Sequence, residues 1–410
     1  MNFPLDYLPK DFVKFFERIR DNRFLVYGGL VRDYIRQKLG EEVQREDDSE
    51  IDVDILFFHR DFDKAVDFLA RHTKALFPAL IKERTIRVVI GEDMTADVSI
   101  VPPEVDLTRY PFDFTINTFY CDGQTLLDEG EAPIYTPFKV SWQDIQQKVL
   151  RAPNPSWLSK YPFGAIRGIR LYCQLGNYGF EDSTLRAYPP ALRVARWEIS
   201  PLLSVREFAK GISFSLRRFA EAIYYTHADL IFFSPLHKLL KGPESQHLFL
   251  AFSAFDDLIY ANKFGEKWGK FRDKAREALE NVKMGVSKHR NLLTMTGFAL
   301  LFHDIGKVIR DEGHEILGAR IVNEITERLS FFPNERWVIY WLVRYHMLVH
   351  DAAHGNESSI RWLKGIKDII KFASLLLATA DALGHPESGE PEAVVERFLK
   401  LAEQVGIEEH

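Results

Sequence analysis

The chain has 410 residues, 46% of them hydrophobic and 27% charged, a balance that suits folded globular structure and excludes a disordered or fibrous chain. That length predicts roughly two to four domains rather than one core. A formal net charge of -6 excludes a protein that is basic throughout, and two cysteines, Cys121 and Cys173, exclude a disulfide framework and any CxxC metal pattern.

The N-terminal stretch mixes charges with aromatics and does not read as a secretory signal; no apolar run reaches membrane-spanning length, so a reducing cytoplasm is the expected setting. Phe12, Phe15, Phe16 and Ile19 recur at helical spacing and predict an amphipathic helix up to about residue 20. A strand at Arg23 to Tyr27 runs into Gly28 and Gly29, then into a helix over Val31 to Leu39 that stops at Gly40. IDVDILFF at 51–58 reads as a strand, with further strands at 85–90, 96–101 and 116–122 and a helix at 61–76. From about residue 142 helical periodicity takes over, punctuated by turn signals at 152–155, 188–190, 242–245 and 384–392. The expected organisation is an α/β head over 1–140 with a mixed sheet and helices, an all-α neck and body over 141–245, and a second all-α domain over 246–410. Residues 151–240 hold 12 Lys and Arg against 6 Asp and Glu, so this segment, with Arg186, Arg193, Arg196, Arg206, Arg217 and Arg218, is the expected footprint for a polyanion. Solubilised helix faces would give the same composition.

Asp52 and Asp54 stand at i and i+2 of a predicted strand, which turns both carboxylates to one face, close enough to share divalent cations. Phosphoryl transfer by two metals needs that clustering. Gly28 and Gly29 lie between a strand and a helix, where glycine lets backbone approach a phosphate and the helix start offers free N–H groups.

GGLVRD at 28–33, IDVD at 51–54 and DFTIN at 113–117 together resemble the successive head motifs of the class II tRNA nucleotidyltransferase and poly(A) polymerase family. The resemblance implies that Gly28, Gly29, Arg32 and Asp33 hold the triphosphate, that Asp52 and Asp54 bind Mg²⁺ with Asp97 as a third carboxylate, and that Asp113 and Asn117 lie near the ribose. DIQQKVLR at 144–151 resembles the end of the head. It implies an enzyme that adds nucleotides from ATP or CTP to an RNA 3′ end, with tRNA as the expected RNA. The sequence departs from the pattern in two places. Pro111 and Phe112 precede DFTIN where the family has arginines, leaving Arg109 as the nearest guanidinium. The base-selecting EDxxR is replaced by Lys160, Tyr161 and Gly164, leaving Arg167 and Arg170 on one helical face for the nucleotide or the RNA.

LLFHDIGKV at 301–309 sets His303 and Asp304 at an apolar helix end, a nitrogen and an oxygen donor suited to a divalent metal. The segment resembles the HD phosphohydrolase superfamily, and the resemblance adds His314, His346 and Asp381 as ligands of a centre for Mn²⁺, Ni²⁺ or Zn²⁺. It also implies the alternative activity, hydrolysis of phosphomonoesters or cyclic phosphates. The first histidine of that pattern is missing from the expected place: His289, on one continuous helix with His303, would stand ~21 Å away. His350 reads as a surface or core histidine.

Overall fold

The computed structural model describes residues 1–43, 53–80, 84–91, 94–285 and 287–407. Asp52, the first carboxylate of the expected pair, lies outside the described residues. The chain forms two compact units, Met1–Gly164 with Tyr178–Thr184, and Ala165–Asn177 with Leu185–His410.

In the first unit, β1 (Asn2–Pro4), α1 (Lys10–Ile19), β2 (Phe24–Tyr27), α2 (Gly29–Lys38), β3 (Val53–Phe58) and α3 (Phe62–His72) come first. There follow β4 (Ala75–Leu80), β5 (Thr85–Val89), β6 (Thr95–Val101), β7 (Tyr120–Asp122), α4 (Gly123–Glu129), β8 (Glu131–Pro133), α5 (Val140–Gln147), β9 (Val149–Leu150), α6 (Ser156–Lys160) and β10 (Gly179–Phe180). Six strands form one mixed sheet in the order β4-β5-β6-β3-β2-β7, with β3 and β6 parallel and the other described pairs antiparallel. The β-branched and aromatic run of β3 is buried on both faces, which explains its central place. On one side Phe12, Phe15, Phe16 and Ile19 of α1 are fully buried, with Phe16 and Phe24 ring centroids 5.0 Å apart. Elsewhere Leu25, Leu56, Phe58 and Val101 form a cluster with Tyr110 and Phe112.

Two expected elements differ. The helix expected over 61–76 stops at His72, and Ala75–Leu80 instead pairs with β5 as a strand, because this segment is apolar throughout and its Pro78 lacks the N–H that another helical turn would need. Within the expected strand at 116–122 only Tyr120–Asp122 is extended; Thr115–Asn117 is a 3-10 turn, held by Thr115 N–H to the Arg151 carbonyl (2.8 Å) and by its hydroxyl to Asp144 (2.7 Å).

The second unit is helical: α7 (Phe163–Gln174) and α8 (Asp182–Glu198), both of which start in the first unit, α9 (Pro201–Phe214), α10 (Leu216–Tyr225), α11 (Ala228–Ile231), α12 (Leu236–Lys241) and α13 (Ser245–Tyr260). It continues with α14 (Gly265–Asn281), α15 (Leu292–Phe302), α16 (His314–Arg328), α17 (Pro333–Ala353), α18 (Glu357–Lys364), α19 (Asp368–Gly384) and α20 (Pro391–Gln404). Pro189 and Pro190, expected in a turn, lie inside α8, where the neighbouring Tyr188, Ala191 and Leu192 are fully buried and packing outweighs the lost N–H donors. Every residue of α15 is buried, and α13, α15 and α17 all pack against α19. Those four helices, with the start of α16, carry the second candidate site.

Candidate functional sites

The sheet register places Tyr27, Asp54, Asp97 and Arg87 in one row across β2, β3, β6 and β5. Opposed residues of neighbouring strands share a face, so Asp54 and Asp97 stand side by side. Arg87 holds Asp97 through two parallel contacts, Nε to Oδ1 and Nη2 to Oδ2, both 2.8 Å. The Tyr27 phenol is pushed up by burial and then by Tyr110 and the Asp54 charge. Gly28 lies against Asp54: its φ of +82° suits glycine, and a Cβ there would meet Asp54 Oδ2 at 2.3 Å. The glycine turn and the carboxylate therefore form one cradle.

Arg32, on the first turn of α2, is buried and binds Asp33 through Nε (2.7 Å) and Nη2 (2.9 Å). Its Nη1 donates to Asn117 Oδ1 (2.8 Å), whose amide donates to Asp113 Oδ1 (3.0 Å). Two sequence motifs, at 28–33 and 113–117, thus become one hydrogen-bonded network. Asp144 Oδ2 accepts from both the Thr115 hydroxyl and Arg151 Nε, so the end of the head braces this network. Arg109 stands apart: its side chain is 87% exposed, with Asp106 3.5 Å away. Phe112, where the family has an arginine, faces the core against Tyr27.

Arg167 and Arg170 lie in the second unit, on α7. Arg170 donates to Glu207 Oε2 (2.8 Å) and to Gln174 (2.6 Å). Burial opposes ionisation of Glu207, but Arg170, Arg206 and Arg167 outweigh it and hold the carboxyl below its usual range. Arg217 is paired with Glu221, and Arg218 donates to the Tyr172 carbonyl and lies 3.8 Å from the Tyr172 ring centre. Arg186, Arg193 and Arg196 are exposed, and the Arg196 guanidinium lies 5.7 Å from the ring centre of the 83% exposed Trp197.

His303, Asp304, His314, His346 and Asp381 converge as the sequence implied, and are all buried. The structure brings a further histidine, His247 on α13, to the same place. Its Nε2 is 3.1 Å from Asp381 Oδ1 and 3.6 Å from Asp304 Oδ2. His289 precedes α15 rather than continuing it, and its Nδ1 pairs with Ser213 (2.9 Å). The only sequence signal for His247 is a lone histidine on an apolar helix, which more often marks a core position. His350, read as a surface or core residue, donates from Nε2 to Asp381 Oδ2 (2.8 Å), and His385 stacks on His247 at 3.7 Å between ring centres.

Two overlapping sets share Asp304. His247 and His303 face its Oδ2, whereas His314 Nε2 stands 3.2 Å from Oδ1, with His346 beyond. The donor chemistry fits metal ions. Nδ1–H of His303, His314 and His346 donates to the Leu300, Asp311 and Val343 carbonyls at 2.7, 2.9 and 2.8 Å, which turns each Nε2 inward, where a metal would displace any proton it carries. His314 and His346 Nε2 are 3.3 Å apart. Among the described residues, neither nitrogen of the buried His247 makes a hydrogen bond of ordinary geometry. Burial and His303 push His346 down to about 3, the neutral ligand form. Burial would also lower His247, yet Asp304 and Asp381 raise it to about 10, an excess of negative charge that a divalent cation would answer. Lys307, 2.8 Å from Asp304 Oδ2, gives partial compensation.

The HD domain family model matches residues 259–405, a span that contains His303, Asp304, His314, His346 and Asp381 but not His247. Curated relatives include the bifunctional uridylyltransferase/uridylyl-removing enzymes of Ruegeria pomeroyi, 48% identical over 61 residues, and of Cereibacter sphaeroides, 49% over 59. Those stretches cover 15% and 14% of this chain, and the chain spans 7% and 6% of the relatives' lengths. Whole-chain likeness comes from solved structures. A CCA-adding enzyme with CTP superposes with TM-score 0.56 at 16% identity, over 97% of this chain and 85% of that one. A tRNA nucleotidyltransferase complexed with a primer tRNA and an incoming ATP analog gives TM-score 0.56 at 16% identity, over 95% and 98%. The mixed sheet and the helical remainder follow the same fold, so this chain has the fold of the CCA-adding tRNA nucleotidyltransferases, with an HD domain over residues 259–405.

Proposed function

We propose that the chain is a template-independent RNA nucleotidyltransferase that joins nucleotides from ATP or CTP to the 3′ end of tRNA in the cytoplasm. The observation that carries this reading is the cradle in which Gly28 touches Asp54 beside Asp97. Asp52 and Asp54 would hold Mg²⁺, which supplies activation of the 3′-hydroxyl and charge neutralisation at the leaving pyrophosphate. Gly28 and Gly29 leave room for phosphate oxygens at the start of α2, and Arg32, fixed by Asp33 and Asn117, presents its charge from a preset geometry. Asp113 and Asn117 would orient the ribose. Incubating the protein with tRNA ending before, within and after CCA, with each labelled nucleotide separately, tests the assignment. Incorporation of CMP or AMP supports it, and no incorporation with any end overturns it.

A second activity has its own support in the completed ligand set His247, His303, Asp304 and Asp381, with His314 and His346 beside it. This reading is a metal-dependent phosphohydrolase or cyclic phosphodiesterase, with Mn²⁺, Ni²⁺ or Zn²⁺ preferred over Mg²⁺ because nitrogen donors predominate. Hydrolysis of 2′,3′-cyclic nucleotides and phosphomonoesters by the metal-loaded protein is its test. In the absence of hydrolysis this reading fails without touching the first.

A further inference from the structure

A third group of metal-ligating side chains lies outside both sites, at the corner formed by α10, α11 and α12. His227, Asp229 and His237 each offer one ligand atom, and these atoms lie within 4.8 Å of one another. The three residues come from the turn after α10, from α11 and from α12, so their meeting is a product of the fold rather than of one helical repeat.

The group looks built for a cation. Asp229 is fully buried, its Oδ1 accepting from the Leu230 N–H (2.8 Å) and its Oδ2 paired with His237 Nδ1 (2.7 Å). Burial raises the Asp229 carboxyl, and His237 only partly offsets this. A buried carboxylate whose partner is a titratable imidazole is incompletely neutralised. His227 adopts the left-handed conformation, φ 60° and ψ 21°, which residues with a Cβ rarely take. That conformation carries its ring to 6.1 Å from the His237 ring, and Tyr224 stacks on the other imidazole at 5.9 Å, restricting its rotation. Strain at a non-glycine residue persists where the surroundings make use of it. One exposed, one half-buried and one buried ligand give a site closed on the protein side and open to solvent on the other.

We infer that His227, Asp229 and His237 form a binding site for a divalent transition ion of the Zn²⁺ class, with the outward coordination position left to water or an anionic ligand. Two imidazoles and one carboxylate select such an ion over Mg²⁺ or Ca²⁺, which demand oxygen donors. Two donors sharing one tetrahedral zinc stand ~3.3 Å apart, so loading replaces the proton between His237 and Asp229 and widens that contact by roughly half an ångström. The ion would tie the short α11 to α12, and α12 in turn packs on the 3-10 turn Ile305–Val308 that follows His303 and Asp304.

The test uses the full chain, stripped of metal by chelation and titrated with Zn²⁺ against a chromophoric chelator. His227→Ala and His237→Ala should each remove one tightly held Zn²⁺ per chain, or weaken one site at least ~100-fold, while His303→Ala leaves that ion in place. His227 is exposed, so its replacement leaves the fold intact even where a change at buried Asp229 would not. Unchanged zinc stoichiometry and affinity in both His227→Ala and His237→Ala overturns the site. Loss of the same ion in His303→Ala, with both other variants at wild-type stoichiometry, overturns it as well, because the zinc then belongs to the HD centre.

Discussion

His247 and His303 point their Nε2 atoms at the same oxygen: each stands 3.1 Å from Asp381 Oδ1, with the two rings nearly perpendicular at 72°. Two imidazole nitrogens and a carboxylate oxygen converge there from α13, the end of α15 and α19. His247→Ala should therefore lower the affinity of the HD centre for Mn²⁺ or Ni²⁺ by ~100-fold or more and remove phosphoester hydrolysis, whereas His289→Ala should change neither. Metal analysis after dialysis and a cyclic-phosphate assay check both variants.

Removing the metal should also cost stability, since buried Asp304 and Asp381 lose their main countercharge. An ion present at a thousand times its dissociation constant contributes about 4 kcal/mol, so chelation should lower the melting temperature by several degrees. Calorimetry with and without chelator reads this, and an unchanged melting curve would count against a loaded centre.

At the head, Asp54→Ala should reduce nucleotide incorporation ~10³-fold, because metal-assisted charge stabilisation is worth several kcal/mol. Asp97→Ala should cost less, as Arg87 already neutralises that carboxylate. Single-turnover rates with circular dichroism as the folding control separate the two; equal losses would give Asp97 the same standing as Asp54.

Gly28→Ala forces a Cβ toward Asp54 Oδ2 at a backbone conformation that suits glycine, a strain of about 1–3 kcal/mol. Incorporation should fall along with stability. Gly40→Ala, also at φ +82° but with open space around it, should lower stability alone.

Arg109→Ala should leave the KM for nucleotide within about twofold, since an exposed ion pair contributes little. Phe112→Ala should instead destabilise the first unit by about 3–5 kcal/mol through the cavity it opens. In the basic segment, Arg186→Glu with Arg193→Glu should weaken RNA binding and flatten its salt dependence, because both side chains are exposed. Arg218→Glu should act chiefly on stability, because it breaks a contact with the Tyr172 carbonyl and ring. Filter binding across salt concentrations and thermal melts distinguish the two kinds of effect.

The sequence by itself determined whatever depends on neighbours in the chain. The glycine turn between β2 and α2, the alternation that sets Asp54 on one face of β3, and His303 with Asp304 at the end of α15 all follow from local periodicity. Only the tertiary structure decided which distant groups complete them. Register between β5 and β6 put Arg87 on Asp97, and the 3-10 turn at Thr115–Asn117 brought Asn117 to Arg32. Packing of α13 along α19 turned His247, one more buried residue of an apolar helix, into a partner of Asp381. A helix presents a residue to a direction fixed by its period, but what lies in that direction is set by which helices dock, and hydrophobic contact is too nonspecific in sequence to declare its partner.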